Sequence, residues 1–168
     1  SICAPSRAAI LTGKYSHLNG KIDNISPFNP NQWTFTEELH NAGYRTSLIG
    51  KHHLQAVPRG VDEFRGLIGQ GSYYSPRFVH NGDTLDAEPG YTSTLITDYV
   101  IEELKRNAGG DQPFCMLYWH KAPHRNWMPD TSDLPGLLDR RFPVPANLRD
   151  DYKGRPAAQH ADMRIADM

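Results

Sequence analysis

The sequence predicts an α/β fold, in which helices alternate with buried strands. Residues 44–50 (YRTSLIG) and 113–120 (PFCMLYWH) are apolar runs of strand length. Each run follows a segment that is typical of a helix. Polar residues come directly after both runs, and ligand sites in open α/β sheets lie beyond the carboxyl ends of the strands. We therefore expect the functional residues at those strand ends.

The first predicted helix covers residues 4–11, close to the start of the chain. Pro5 is tolerated in a first turn, and Gly13 is typical of a C-terminal cap. This placement puts Cys3 at a helix N-terminus, where the helix dipole lowers the pKa of a thiol. Position alone does not make it a nucleophile, because a free cysteine is more often a small packed side chain.

The second predicted helix leads into the first strand. Either Thr34 or Thr36 can cap a helix that runs to Ala42, and Gly43 ends it. The strand at residues 44–50 follows at once. The residues that it delivers at its carboxyl end are Lys51, His52 and His53.

The third predicted helix begins at Thr92 or Thr94 and is closed by Gly109 and Gly110. Its apolar positions form one stripe, which predicts an inward face: Leu95, Ile96, Tyr99, Val100 and Leu104. In the buried strand at residues 113–120 that follows, Cys115 is expected to pack in the core. A proline-broken loop, KAPHRNWMP, comes next, and from residue 130 onward we predict a surface loop.

Composition and charge exclude several classes of function. The 168 residues are 38% hydrophobic and 22% charged, which suits a globular domain. The net charge is −1 and the basic residues are scattered, so neither nucleic acid nor an anionic membrane is a predicted partner. No apolar run reaches the roughly 20 residues of a membrane span. The two cysteines, Cys3 and Cys115, are expected to be unbridged.

Two kinds of site are disfavoured, one by residues 3–14, which read CAPSRAAILTGK, and one by residues 120–124. A phosphatase loop places an arginine six residues after its cysteine, but Ala9 is there and the arginine is Arg7. His120 and His124 have the spacing of a zinc-protease helix, but Pro123 between them disfavours that helix.

The same string resembles the signature of the type I, formylglycine-dependent sulfatases of the alkaline phosphatase superfamily, C-x-P-S-R-x-x-x-L-T-G. The resemblance implies that a formylglycine-generating enzyme oxidises Cys3 to formylglycine, with Pro5 and Arg7 as recognition elements. The hydrated aldehyde would then attack the sulfur of a sulfate ester, which is nucleophilic catalysis in two steps. The matched positions are Cys3, Pro5, Ser6, Arg7, Leu11, Thr12 and Gly13.

Two further stretches resemble the same family. Residues 43–54 (GYRTSLIGKHHL) are similar to G-Y-x-T-x-x-x-G-K-W-H-L, with His52 at the common tryptophan. Because His52 replaces this tryptophan, the motif does not show which side chains line the neighbouring pocket. The resemblance makes Lys51 and His53 an active-site pair. Residues 120–127 (HKAPHRNW) are similar to the loop that supplies a further histidine, here His124.

The resemblance also implies a role for each residue. Lys51 would hold the sulfate and the formylglycine oxygen, and His53 would take the hydroxyl proton when sulfate leaves. His124 would bind substrate and protonate the leaving alcohol, and Arg7 would brace the formylglycine.

The family binds one calcium ion, and Cys3, as formylglycine, is the expected ligand in this chain. The family's paired aspartates, its later Asp-Asn or Asp-Gln pair and a further sulfate-binding lysine cannot be placed here, since Asp150 and Asp151 lie in no matching context. We therefore expect residues 1–168 to be an internal fragment of a sulfatase N-terminal catalytic domain, lacking both ends and inactive alone. Its fold would be the central part of an alkaline-phosphatase-like mixed sheet flanked by helices.

The expected substrate is a sulfated carbohydrate. Residues 69–78, 90–104 and 120–129 resemble bacterial sulfatases that act on glycans, and among these most resemble the N-acetylglucosamine-6-sulfatases. This resemblance implies a periplasmic or secreted protein. Tyr73, Tyr74 and Trp127 could stack on sugar rings, although the two tyrosines are more often rim or core residues. A phosphonate or phosphodiester hydrolase of the same superfamily and a non-catalytic glycan-binding relative remain alternatives.

Overall fold

The computed structural model describes residues 2–161, and the chain divides into two compact units, Ser1–Met128 and Pro129–Met168. The first unit is built on a sheet with the strand order β4-β3-β2-β1-β5. Its strands are β1 (Arg45–Gly50), β2 (Glu63–Leu67), β3 (Phe78–His80), β4 (Asp83–Thr84) and β5 (Phe114–Trp119).

The sheet is mixed, and its centre is parallel. β1 pairs in parallel with both β2 and β5, while β3 and β4 add antiparallel strands. Gly50 lies opposite Gly66 on one side and Trp119 on the other, so β1, β2 and β5 end together. The loops that follow these strands therefore leave the sheet at one edge, which is where the site forms.

The helices of the first unit are α1 (Cys3–Thr12), α2 (Ser16–Asn19), α3 (Phe35–Asn41) and α4 (Thr92–Asn107). Gly13 caps α1 in the left-handed conformation at φ 64° and donates its N–H to the Ala9 carbonyl. Thr34, rather than Thr36, caps α3, because its side chain accepts from the Glu37 N–H. The described part of the second unit holds a 3₁₀ turn (Leu134–Gly136) and α5 (Pro156–Gln159) among loops, close to the prediction.

Helices cover both faces of the sheet. Successive residues of β1 point to opposite sides, so Leu48 packs against α1 and Ile49 packs against α4. The mixed sheet flanked by helices confirms the predicted α/β class. None of the helices within residues 2–161 is long and apolar enough to cross a membrane.

α4 begins at Thr92, one of the two predicted starts, and the Thr92 hydroxyl donates to the Ser72 carbonyl. One detail of the predicted inward face is wrong. Leu104 is 39% exposed, and Glu103 takes the inward position in its place. Glu103 can be buried because Arg45 lies 3.0 Å from its carboxylate and Arg106 lies 2.5 Å from it.

The predicted burial of the last strand is also wrong. β5 forms where expected, but among its residues only Leu117 is fully buried, and Cys115 is half-buried. The reason is that β5 is an edge strand of the sheet, so one flank has no neighbour among the described residues. Both cysteines are free, as expected.

Candidate active site

Loops from three parallel strands and the start of α1 meet at one edge of the sheet. Residues 51–53 follow β1, residues 68–73 follow β2, and residues 120–124 follow β5. The first core cluster, which includes Ala4 and Ala8 of α1, packs α1 on β1 and so brings Cys3 to this edge.

Cys3 is the first residue of α1, and its thiol contacts two other segments. The Sγ atom lies 3.3 Å from Nδ1 of His53 and donates to Oδ1 of Asn24, also at 3.3 Å. The same Asn24 oxygen accepts the Ala4 N–H at 3.2 Å. Cys3 is half-buried. A residue at this position is therefore fixed next to an imidazole and a carboxamide.

Arg7 lies one helical turn after Cys3 and braces it. Its guanidinium donates to the Cys3 carbonyl at 3.2 Å and lies 5.5 Å from the centre of the Trp119 ring. Burial lowers the pKa of Arg7. Its Nε is buried and has no hydrogen-bond partner within residues 2–161.

Lys51 is 1% exposed, and its ammonium donates to Oε1 of Gln70. Burial lowers its pKa to about 8, and the charges of Arg7 and Lys121 act in the same direction, while Cys3 opposes them. In the described part of the chain no carboxylate forms a salt bridge with Lys51. Its charge is therefore available to an anion.

His53 adopts the left-handed backbone conformation, at φ 55°, and its ring is held against Cys3. Burial, together with the charges of Lys51, Lys21, Arg7 and His124, lowers its pKa to about 4. The imidazole is neutral at pH 7 and can accept a proton.

His124 lies in the loop after β5 and is half-buried. Its Nδ1 donates to the Arg125 carbonyl at 2.5 Å, and its positive charge, when protonated, is among those that lower the pKa of His53. The hydroxyl of Tyr73 donates to the His124 carbonyl and holds the loop. The structure thus brings together Cys3, Arg7, Lys51, His53 and His124.

The sulfatase family model matches residues 1–156. The chain belongs to the sulfatase family. It is 49% identical over 169 residues to N-acetylglucosamine-6-O-sulfatase of Bacteroides thetaiotaomicron, covering 98% of this chain and 30% of that protein. It is 31% identical over 140 residues to an extracellular sulfatase SULF-1 homolog of Drosophila melanogaster, covering 73% of this chain and 13% of that protein. Relatives thus include extracellular sulfatases.

A solved structure gives the same result for the fold. BT4656 in complex with its substrate D-glucosamine-2-N,6-O-disulfate superposes with a TM-score of 0.89 at 49% identity, covering 96% of this chain and 33% of that one. The fold is the alkaline-phosphatase-like fold of the sulfatases. This sulfatase chain spans about a third of the length of the N-acetylglucosamine-6-O-sulfatase and of the BT4656 chain.

Sequence reasoning missed two residues of the sulfatase site, Asn24 and Gln70. Lys121, in the loop after β5, is buried, at 6% exposure. Its ammonium donates to the Gln70 carbonyl at 3.1 Å and lies 4.6 Å from the centre of the Tyr73 ring. Tyr73 is itself 5% exposed, so it is a core residue rather than an open sugar platform. The glycines around Gln70 were the available signal, since they mark a tight turn at a strand end.

His52 packs against Phe64 and lines a cavity together with His53. Its ring meets Phe64 edge-on at 4.8 Å, and its Nδ1 is buried with no partner among the described residues. Burial lowers its pKa to about 4, and the neighbouring His53 and Arg7 add to the effect. Where the family motif has tryptophan, this sulfatase therefore has a neutral, buried imidazole.

The described residues do not by themselves fit a calcium ion. Residues 2–161 contain no group of three or more histidine, cysteine, aspartate or glutamate side chains that could hold a metal. Calcium requires about six to eight oxygen ligands. The charged side chains that interact with Cys3 are instead cationic, namely Arg7, Lys21 and Lys51.

Proposed function

We propose that the protein carrying this chain is a sulfuric ester hydrolase that removes the 6-O-sulfate of N-acetylglucosamine or a related glucosamine. The observation that carries the proposal is the 3.3 Å contact between Sγ of Cys3 and the neutral His53, inside a cluster of buried cations. The 49% identity to an N-acetylglucosamine-6-O-sulfatase supports the choice of sugar.

Cys3 carries the nucleophile in this proposal. As formylglycine, Cys3 would supply a hydrated aldehyde with two hydroxyl groups. One hydroxyl would displace the sugar oxygen from sulfur, and loss of the proton from the other would return the aldehyde and release sulfate. In this structure Sγ of Cys3 contacts both Asn24 and His53, so Asn24 would orient the group at this position and His53 would accept its proton.

The surrounding side chains take the remaining roles of proton transfer, sulfate binding and positioning. His53, neutral at pH 7, accepts a proton at the Cys3 position, and Lys51 binds the anionic sulfate, because charges act strongly in a buried site. Arg7 holds the Cys3 main chain in place through its carbonyl. His124 protonates the departing sugar oxygen.

The proposal extends to the rest of the polypeptide. We infer that residues 1–168 are an internal segment of a longer catalytic domain, because the chain matches about a third of its relatives. The calcium ligands of the family then lie in the remaining sequence. A formylglycine-generating enzyme is the required partner, and residence in the periplasm or outside the cell suits a polymeric, sulfated glycan substrate.

The test uses the complete polypeptide expressed together with a formylglycine-generating enzyme. We expect release of sulfate from N-acetylglucosamine 6-sulfate, and a tryptic peptide ending at Arg7 with the lower mass of an aldehyde in place of the Cys3 thiol. Cys3→Ala should abolish both. Faster cleavage of a phosphodiester would favour the phosphohydrolase alternative, and glycan binding without hydrolysis by the converted protein would favour a binding relative.

A further inference from the structure

The loop after β2 carries one residue that contacts two cations of the site. Oε1 of Gln70 accepts from the Lys51 ammonium, and the Gln70 main-chain carbonyl accepts from the Lys121 ammonium at 3.1 Å. Lys51 follows β1 and Lys121 follows β5, so Gln70 joins the ends of two strands. Both lysines are nearly fully buried, at 1% and 6% exposure.

Two glycines fix the position of Gln70. Gly69 and Gly71 lie at φ 56° and φ 69°, a region that favours glycine. A Cβ added at Gly71 would lie 2.8 Å from Cδ1 of Leu67, a buried residue of β2. The loop therefore folds tightly back on the strand, and Gln70 stands at a defined place above the sheet edge.

The neutrality of Gln70 suits a site that binds an anion. Lys51 is faced by Cys3 and Arg7 of α1, by Lys121 of the loop after β5 and by its neighbour His53. An amide oxygen orients the ammonium but leaves its charge unpaired. A carboxylate at the same place would neutralise that charge and compete with sulfate.

The same loop also reaches His124. Tyr73 donates its hydroxyl to the His124 carbonyl, and Lys121 packs on the Tyr73 ring. The segment from Gln70 to Tyr73 thus touches the segments that carry both the sulfate-binding cation and the proposed acid.

We propose that Gln70 is a positioning residue for sulfate ester cleavage, whose side-chain oxygen orients Lys51 beside Cys3 while Lys121 anchors its carbonyl. The inference rests on the proposed function. Gln70 acts through Lys51 and has no contact of its own with the reacting atoms in this scheme.

The test compares Gln70→Met with Gln70→Glu in the complete, converted polypeptide. Methionine keeps the size of the side chain and removes the strong acceptor, so we expect kcat to fall about 10- to 100-fold with little change in KM. Glutamate keeps the acceptor but pairs with Lys51, so we expect KM and the inhibition constant of inorganic sulfate to rise about tenfold. Melting temperatures check that both variants fold.

Gln112→Met is the matched control, because the exposed amide of Gln112 donates to the Gly43 carbonyl outside the site. It should leave kcat and KM unchanged. Wild-type kinetics in both Gln70 variants would overturn the inference. So would equal losses in both that follow the melting temperature, because these indicate only a folding role for the loop.

Calorimetry with inorganic sulfate separates this inference from the proposed function. In a Cys3→Ala background no turnover is needed, and Gln70→Glu should weaken sulfate binding while Gln70→Met leaves it near the parent value. If the parent protein hydrolyses no sulfate ester, the proposed function fails. The binding comparison would still show whether the Gln70 side chain contacts the Lys51 ammonium. Equal sulfate binding by both variants would refute that placement.

Discussion

His52 and His53 are adjacent in sequence, yet their side chains lie in different environments. His53 faces the Cys3 thiol, whereas His52 packs on Phe64 with an unsatisfied nitrogen. Burial is the main cause of the lowered pKa of both rings, to about 4 in each case. The neutral ring of His53 lies against the Cys3 thiol, where we propose that it accepts a proton, while the neutrality of His52 is a consequence of burying an imidazole.

Replacing His52 by phenylalanine should reduce the acid sensitivity of the protein. The pKa of His52 is about 4 in the folded chain against 6.5 as its ordinary value, so the unfolded chain binds the proton first and stability falls as the pH drops from 6.5 to 4. One unit of pKa corresponds to about 1.4 kcal/mol, so His52→Phe should recover on the order of 3 kcal/mol at pH 4 relative to pH 7. Urea unfolding across this pH range measures the effect.

His53 keeps its own share of the acid sensitivity in that variant, so the slope should decrease but not vanish. His17→Phe, at an exposed histidine, is the control and should leave the slope as in the parent. An unchanged pH dependence in His52→Phe would contradict the neutral, buried state of this ring.

At the scale of the elements, the end of β1 decides where Lys51 and His53 lie. Gly50 has φ 113°, and the following Lys51 N–H donates to the Trp119 carbonyl at 2.8 Å. A Cβ on Gly50 would lie 1.9 Å from that same carbonyl oxygen. Only glycine lets the two strands approach in this conformation and turn the chain toward the site.

Gly50→Ala should therefore both destabilise the protein and lower its activity. We expect a loss of more than about 2 kcal/mol, because the clash is with backbone rather than with a flexible side chain. Lys51 would move with the displaced strand end, so kcat/KM should fall as well. Denaturant unfolding and kinetics of the same preparation measure the two effects.

Gly110→Ala is the control for the alanine substitution, since its nearest contact would be the Asn107 carbonyl oxygen at an ordinary 3.7 Å. It should change stability by less than about 0.5 kcal/mol. A Gly50→Ala protein as stable as this control would show that β1 and β5 do not need the close approach.

At the scale of the whole molecule, the described residues supply the cations and proton carriers of a sulfatase site but no metal-binding cluster. The two compact units also differ, because the sheet and the five signature residues lie within Ser1–Met128. The chemistry proposed for this family member therefore depends on sequence beyond the segment.

The isolated segment of residues 1–168 should be inactive and should not bind calcium tightly, even after conversion of Cys3. The complete polypeptide should show calcium-dependent release of sulfate, because it adds the oxygen ligands that residues 2–161 do not assemble. Calorimetry with calcium and turnover of an aryl sulfate, each on both proteins, make the comparison. Calcium-dependent turnover by the segment alone would refute the expectation, and circular dichroism shows whether the segment is folded.

The sequence by itself determined the elements whose signals are local. Caps and apolar runs placed α1, α3, α4, β1 and β5 within a few residues, because helix ends and buried strands depend on neighbours along the chain. Three short motifs, at residues 3–14, 43–54 and 120–127, likewise predicted the five site residues Cys3, Arg7, Lys51, His53 and His124. The short strands β2, β3 and β4 were missed, since strands of two to five residues are stabilised by pairing with distant segments.

Only the tertiary structure decided which side chains complete the site. Asn24 meets Cys3 across 21 residues of sequence, and Tyr73 meets His124 across 51. The shared carboxyl edge of β1, β2 and β5 brings Gln70 between Lys51 and Lys121. No periodicity or motif encodes such contacts, because they depend on strand order and on which loops meet after folding.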